Sequence, residues 1–423
     1  MDKFEGYKCS ICGEEYLSGQ VTYTCPRDGG NLDVVLNYEE IARKYQPGDI
    51  RNRSTASIWR YLPLLPVQDP GGEDTPLRNV GWTPVYDLKP LAHKAGLDSL
   101  WVKDESRNPT ASFKDRASAM IVARTLNLAR TNSIVPTIVT ASTGNAGAAL
   151  AGMAAAVGQK AVIFAPKTAP PAKVAQLLVF GARVLLVDGT YDDAFDLSIQ
   201  ASNAFGWYCR NTGYNPFTLE GKKTAAFEIW EWYSNLIGTP ETHNRDKQLT
   251  IFVSVGDGNI ISGIHKGFKD LMAIGWIEKI PRIIGVQAEG SAAIFNTFHA
   301  ENEEIKAVSA VTIADSISVD FPRDGVRAVR AARETGGTYL KVTDQQILDA
   351  ISELGKCGIF AEPAGAASYA GFLAANREGL LDEGGVNLVI NTGSGLKDVK
   401  AAMQSVTAAP IIEPTLDGVK KYL

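Results

Sequence analysis

From residue 99 onward, short runs of β-branched and other apolar residues alternate with longer stretches whose apolar positions recur at helical spacing. "SLWVKDE" (99–105), "IVPTIVTAS" (134–142), "KAVIFAP" (160–166), "RVLLVDG" (183–189), "LTIFVSVGDG" (249–258), "RIIGVQAEG" (282–290) and "VNLVINTGSG" (386–395) read as strands. "NAGAALAGMAAAVG" (145–158) and "PPAKVAQLLVFG" (170–181) read as helices between them. Strands that are apolar almost throughout have both faces covered. With helices between them they predict parallel sheets in an α/β protein. Ligands of such sheets gather beyond the carboxyl ends of the strands, so chemistry is expected in the residues just after each one.

The chain before this region is different. "YKCSICGEEYLSGQVTYTCPRDGGNLDVV" (7–35) pairs Cys9 and Cys12 at the C-x-x-C spacing of a zinc-ribbon knuckle. The second knuckle places Asp28 three residues after Cys25, where a cysteine would complete the set. Two readings stay open: a Cys9, Cys12, Cys25, Asp28 zinc site, or a small β-hairpin module that has lost its metal. The connector "YLPLLPVQDPGGEDTPL" (61–77) reads as a linker lying on a surface.

With 423 residues there is room for two or three domains. The net charge of -5 and the lack of a basic run argue against a nucleic-acid groove. The opening "MDKFEGYKCS" has no apolar core of a secretory signal, and the most apolar stretch (146–165) is interrupted by glycines, a glutamine and a lysine. Five cysteines, an odd number, do not suggest a disulfide framework, and a cytoplasmic setting is expected.

Four strand ends carry unusual clusters. "ASTGNAG" (141–147) and "VGDGNIISG" (255–263) each pass from a strand into a helix. Such turns present several N–H donors and the positive end of the helix dipole, a ready site for phosphate or carboxylate. "NTGSGLKD" (391–398) follows the last strand. The fourth cluster, "NPTASFKDRAS" (108–118), sets Lys114 at a helix start, where a cation is disfavoured. A solvated lysine is one reading; a lysine held as a nucleophile is the other. A phosphate-bearing aldehyde, pyridoxal phosphate, accounts for all four clusters together. A dinucleotide is the rival, but Gly256-Asp257-Gly258-Asn259 is not G-x-G-x-x-G, and its aspartate would repel a pyrophosphate.

These segments resemble the threonine synthase family, in the tryptophan-synthase-β-like group of pyridoxal-phosphate enzymes, over most of the chain. The resemblance implies two parallel-sheet α/β domains with the cofactor in the cleft between them; the degenerate zinc-ribbon-like segment read from its cysteines precedes them. The expected divisions are 1–36 for that segment, 37–135 and 216–423 for the larger domain, and 136–215 for the smaller one. It further implies that Lys114 carries the cofactor as a Schiff base and that Asn145 partners the ring's 3-oxygen. Gly256, Asp257, Gly258 and Asn259 would cradle its phosphate, and Thr392 would meet the pyridine nitrogen. Ser142, Thr143 and Gly144 would hold the substrate carboxylate. The implied reaction converts O-phospho-L-homoserine and water to L-threonine and phosphate, in a homodimer that binds only a small amino-acid substrate.

One departure from the family pattern matters. In "NTGYNPFTLEGKKT" (211–224), Asn211 and Thr212 match two substrate-phosphate ligands, but Thr218 stands where an arginine is expected. Lys222, Lys223 and Arg323 are the candidate replacements. Otherwise the substrate carries no phosphate, and the chain is a serine/threonine dehydratase or β-replacement lyase. A zinc-ribbon interaction protein with a non-catalytic α/β body is the reading from another class.

Overall fold

The computed structural model describes residues 3–132, 134–238 and 247–423. The expected divisions 1–36, 37–135 and 216–423 include residues 1, 2, 133 and 239–246, which lie outside the described residues.

The strands form three sheets. In the first, β1 (Phe4–Cys9) lies between β2 (Glu15–Leu17) and β3 (Leu32–Leu36), all antiparallel. β1 and β3 place buried Phe4, Tyr7, Leu32, Val34 and Leu36 towards the body of the protein. The largest sheet uses β4 (Val85–Asp87), β5 (Trp101–Asp104), β10 (Leu249–Ser254), β11 (Arg282–Ala288), β12 (Tyr339–Val342) and β13 (Val386–Asn391). Its order is β12-β11-β10-β13-β5-β4, parallel except for the β4 edge. The smaller parallel sheet has order β8-β7-β6-β9, from β6 (Ile138–Ala141), β7 (Ala161–Pro166), β8 (Arg183–Val187) and β9 (Tyr208–Cys209).

The apolar runs explain this layering. Every residue of β10 and β13 is buried, as expected where helices cover both faces. The α/β architecture with parallel sheets agrees with the sequence reading. No helix among the described residues is long and apolar enough to cross a membrane.

The connector departs from expectation. Ile58–Leu64 forms a 3-10 helix in which Trp59, Tyr61 and Leu64 are buried, and Leu65 is also buried. The Tyr61 hydroxyl donates to Glu231 at 2.5 Å. Only the following stretch, from Gln68, resembles a surface linker, because prolines spaced through an apolar run break helix periodicity without preventing burial.

Candidate active site

The lysine segment is fixed by buried ion pairs. The helix begins at Lys114 itself, two residues after Ser112, whose buried hydroxyl has no partner among the described residues. Asp115 turns back to accept from the Thr110 N–H at 2.6 Å, and burial pushes its carboxyl up to about 6. Arg116 is fully buried and binds Glu105 at 2.7 Å and Glu228 at 2.5 Å. With both neighbours held inward, Lys114 faces the cleft. The segment also meets the last strand end directly: the Phe113 N–H donates to the Thr392 carbonyl at 2.9 Å.

Four of the expected clusters converge. Lys114, Asn145, residues 254–261 and Thr392 line one cavity. It adjoins a wider cleft bounded by Lys114, Ser142 to Asn145, Arg210, Thr212, Asp257 and Arg323. Burial lowers the Lys114 amine, as does Arg210, while Asp257 and Glu362 oppose the shift. Lys114 has no hydrogen bond or ion pair among the described residues, so its amine is available.

The loop after β10 has the form of an anion cradle. Gly258 adopts φ +90, and a Cβ there would lie 2.6 Å from the Asp324 carbonyl oxygen. The helix Asn259–Ala273 follows directly. The N–H groups of residues 256–261 donate to no acceptor among the described residues. Lys222 is fully buried and donates to Asn259 Oδ1 at 2.5 Å, with no carboxylate partner among the described residues. Burial lowers its amine, and the like charges of Lys114 and Arg210 lower it further. Unpaired donors and an uncompensated buried lysine suit a phosphate group in the cradle, so these residues fit pyridoxal phosphate.

The turn after β6 offers a second anion site. Residues 143–147 have N–H groups without acceptors among the described residues, at the start of the helix Asn145–Ala156. Asn145 Nδ2 donates to both oxygens of Glu362 at 2.9 Å. Glu362 is buried, and burial raises its carboxyl. Sequence reasoning missed this residue. Its signal was an acid directly before Pro363, at the head of an otherwise apolar helix, Pro363–Arg377.

The expected phosphate ligands are rearranged. Asn211 is consumed internally: its Oδ1 accepts from Ala141 N at 2.9 Å and Thr140 Oγ1 at 3.0 Å, and its Nδ2 donates to Ser198 at 2.8 Å. It pins β6 in place and is not free for substrate. Lys222 does not line the cleft, being held beneath Asn259. Lys223 is buried between Glu220 and Asp270, at 2.5 and 2.7 Å. Thr218 is buried and donates to the Asn215 carbonyl at 2.7 Å. Arg323 does line the cleft, but it pairs with Asp192 at 3.1 Å and lies over the Phe195 ring.

The cation that sequence reasoning missed is Arg210, one residue before the segment singled out. It is fully buried at the end of β9, and its Nη1 donates to Thr212 Oγ1 at 2.7 Å. Its Nη2 is buried without any partner among the described residues. Burial pushes the guanidinium down to about 10, so it remains charged at neutral pH.

The N-terminal ligands also come together: Cys9, Cys12, Cys25 and Asp28 have their donor atoms within 4.8 Å of one another.

Residues 77–393 match the family model described as pyridoxal-phosphate dependent enzyme. The chain is 36% identical to threonine synthase of Methanocaldococcus jannaschii over 421 residues, 98% of each chain. It is 34% identical to threonine synthase of Methanosarcina acetivorans over 419 residues, again 98% of each. Among solved structures it resembles processed threonine deaminase isoform 2 of Solanum lycopersicum, with TM-score 0.64 and 22% identity over 86% of this chain and 99% of that one. Diaminopropionate ammonia lyase of Escherichia coli gives TM-score 0.63 at 23% identity, over 77% and 87%. These two show the fold alone. The convergent lysine, cradle and threonine clusters, the family match and the near-full-length relatives lead to one assignment: the chain belongs to the pyridoxal-phosphate-dependent enzymes and, within them, to the threonine synthase family.

Proposed function

We propose that this enzyme converts O-phospho-L-homoserine and water to L-threonine and inorganic phosphate. The observation that carries the reading is Arg210, a buried guanidinium with an unused N–H in the cleft that Lys114 faces. A dehydratase acting on serine or threonine has no use for such a group, and leaving it unpaired is costly. A substrate phosphate would satisfy it, with the Thr212 hydroxyl alongside.

Lys114, Asn145, the 256–259 cradle and Thr392 would hold pyridoxal phosphate, which would supply an electron sink for carbanions beside the substrate amino group. A hydroxyl such as that of Thr392 would not keep the ring nitrogen protonated as a carboxylate would, which would favour elimination and replacement over transamination. The N–H groups of residues 143–147 receive the substrate carboxylate and fix its orientation. Lys114 Nζ, lowered by burial, is suited to remove and return protons at the substrate carbons. Arg210 and Thr212 hold the phosphate while it leaves as an anion. Residues 136–215 are the unit we expect to close over the cleft, keeping water out until the β-carbon is ready for it.

A reducing, cytoplasmic setting is supported by Cys209 and Cys357, free thiols outside the N-terminal cluster. A homodimer is supported by exposed apolar residues near the C-terminus, among them Val406, Ile411, Leu416, Val419 and Leu423. The N-terminal ligand set calls for a metal that takes no part in the reaction.

Turnover in ¹⁸O-water tests the chemistry. The label should enter the threonine hydroxyl and stay out of phosphate, because the carbon–oxygen bond breaks. Labelled phosphate with homoserine as product would refute the proposal.

A further inference from the structure

We propose that Cys9, Cys12, Cys25 and Asp28 form a closed tetrahedral site for one zinc ion, which clamps the N-terminal module onto the cofactor loop and the smaller sheet.

The two turns that carry the ligands are built alike. Cys9-Ser10-Ile11-Cys12-Gly13 and Cys25-Pro26-Arg27-Asp28-Gly29 have the same spacing. Gly13 and Gly29 both take left-handed backbone, at φ 75 and 71. Each N–H returns to the first cysteine's carbonyl, Gly13 to Cys9 at 3.1 Å and Gly29 to Cys25 at 2.9 Å. In the first turn the Ile11 N–H also points at the Cys9 sulfur, at 3.4 Å. Asp28 therefore occupies the position of the missing fourth cysteine in backbone as well as in sequence.

Two of the six ligand–ligand separations match the edges of a zinc tetrahedron, and all four donor atoms lie within 4.8 Å of one another. Zinc with metal–sulfur bonds of ~2.3 Å and metal–oxygen bonds of ~2.0 Å gives tetrahedron edges of about 3.8 Å between sulfurs and about 3.5 Å between sulfur and oxygen. Cys12 and Cys25 sulfurs are 3.8 Å apart, and Cys9 Sγ lies 3.4 and 3.6 Å from the two Asp28 oxygens. A disulfide needs its sulfurs at about 2.05 Å, and would leave Cys9 facing a carboxylate. Three thiolates and one carboxylate suit zinc better than the hard cations, which prefer oxygen alone. Four protein ligands leave no open position, so the metal is structural rather than catalytic.

The module is wired to the site it does not enter. Asn31 Nδ2 donates to the carbonyls of Gly213 at 2.5 Å and Arg323 at 3.1 Å. Asp33 pairs with Arg327 at 2.7 Å, Arg327 with Asp324 at 2.6 Å, and Asp324 accepts from Asn259 of the cradle at 2.7 Å. The Tyr23 hydroxyl accepts from the Cys209 N–H at 2.9 Å, just before Arg210. A metal that fixes the two knuckles also fixes the strand and turns from which these contacts reach out.

The test is elemental analysis of the full-length protein, purified without chelator. About one zinc per chain is expected. Cobalt(II) alone, added to protein stripped with a thiol-blocking mercurial and then restored with reductant, should give tetrahedral thiolate absorption. Asp28→Ala should lose zinc to a chelator at least about tenfold faster than the parent. Asp28→Cys, which completes the thiolate set, should hold zinc at least as tightly and guards against misreading a folding defect. Substoichiometric metal both as purified and after zinc addition would overturn the proposal. So would iron in place of zinc, or a Cys12–Cys25 disulfide in the reduced preparation. Metal content is read without substrate, so failure here leaves the proposed reaction untouched.

Discussion

Arg210 donates to Thr212 Oγ1 at 2.7 Å with one terminal nitrogen and leaves the other buried and unpaired. The pair sits at the end of β9, facing the cleft it shares with Lys114. Thr218, at the position expected to carry the phosphate-binding arginine, is instead bound to backbone. On the proposed reading, Arg210 supplies the guanidinium that Thr218 does not.

Arg210→Met should therefore reduce kcat/KM for O-phosphohomoserine at least tenfold, about 1.4 kcal/mol of transition-state binding. The protein should remain yellow with bound cofactor. Arg210→Lys keeps the charge but not the planar fork and should recover only part of the loss. Steady-state kinetics with absorbance spectra separates a substrate effect from a cofactor effect.

Lys114→Ala should abolish turnover and the yellow colour that borohydride bleaches. In the parent protein, borohydride should fix the cofactor to the peptide containing Lys114, as read by mass spectrometry. Labelling elsewhere would remove Lys114 from its assigned role.

Arg116→Met should destabilise the fold by about 3–5 kcal/mol, because it strands Glu105 and Glu228 as buried carboxylates with only Lys103 nearby. Urea unfolding measures this. Adding Glu105→Gln to the same chain should return part of the loss, which a cavity effect alone would not do.

His265 gives a pH signature. It is buried, and burial with Lys269 nearby pushes its imidazole down to about 4. Glu334 lies 3.4 Å away but is half-exposed, so water screens its pull. The unfolded chain binds a proton near the ordinary histidine value while the folded chain does not. Stability from this residue is thus complete above pH ~6.5 and falls as pH drops towards 4, by about 3 kcal/mol at most. His265→Gln should flatten that part of the curve in denaturant titrations across this range.

Much of this was legible in the sequence because the strands are apolar on both faces and the chemistry follows their ends. All seven strand-like runs contain strands, and the clusters at Lys114, Ser142 to Asn145, Gly256 to Asn259 and Thr392 meet around connected cavities. Local pattern does not reveal which way a polar side chain turns. Asn211 matched a motif yet serves β6, and Lys222 lies under the cradle rather than in the cleft. Arg210 and Glu362 escaped because each is a single charged residue whose role depends on partners distant in sequence. The buried start of the connector was missed because its prolines mask an apolar run that belongs to the core.

The most direct test of the central claim compares substrates in one preparation. O-Phosphohomoserine should give threonine and phosphate in equal amounts, with kcat/KM at least about a hundredfold above that for ketoacid formation from threonine or serine. Rapid ketoacid formation with no phosphate release from O-phosphohomoserine would contradict the account and assign the fold to a dehydratase.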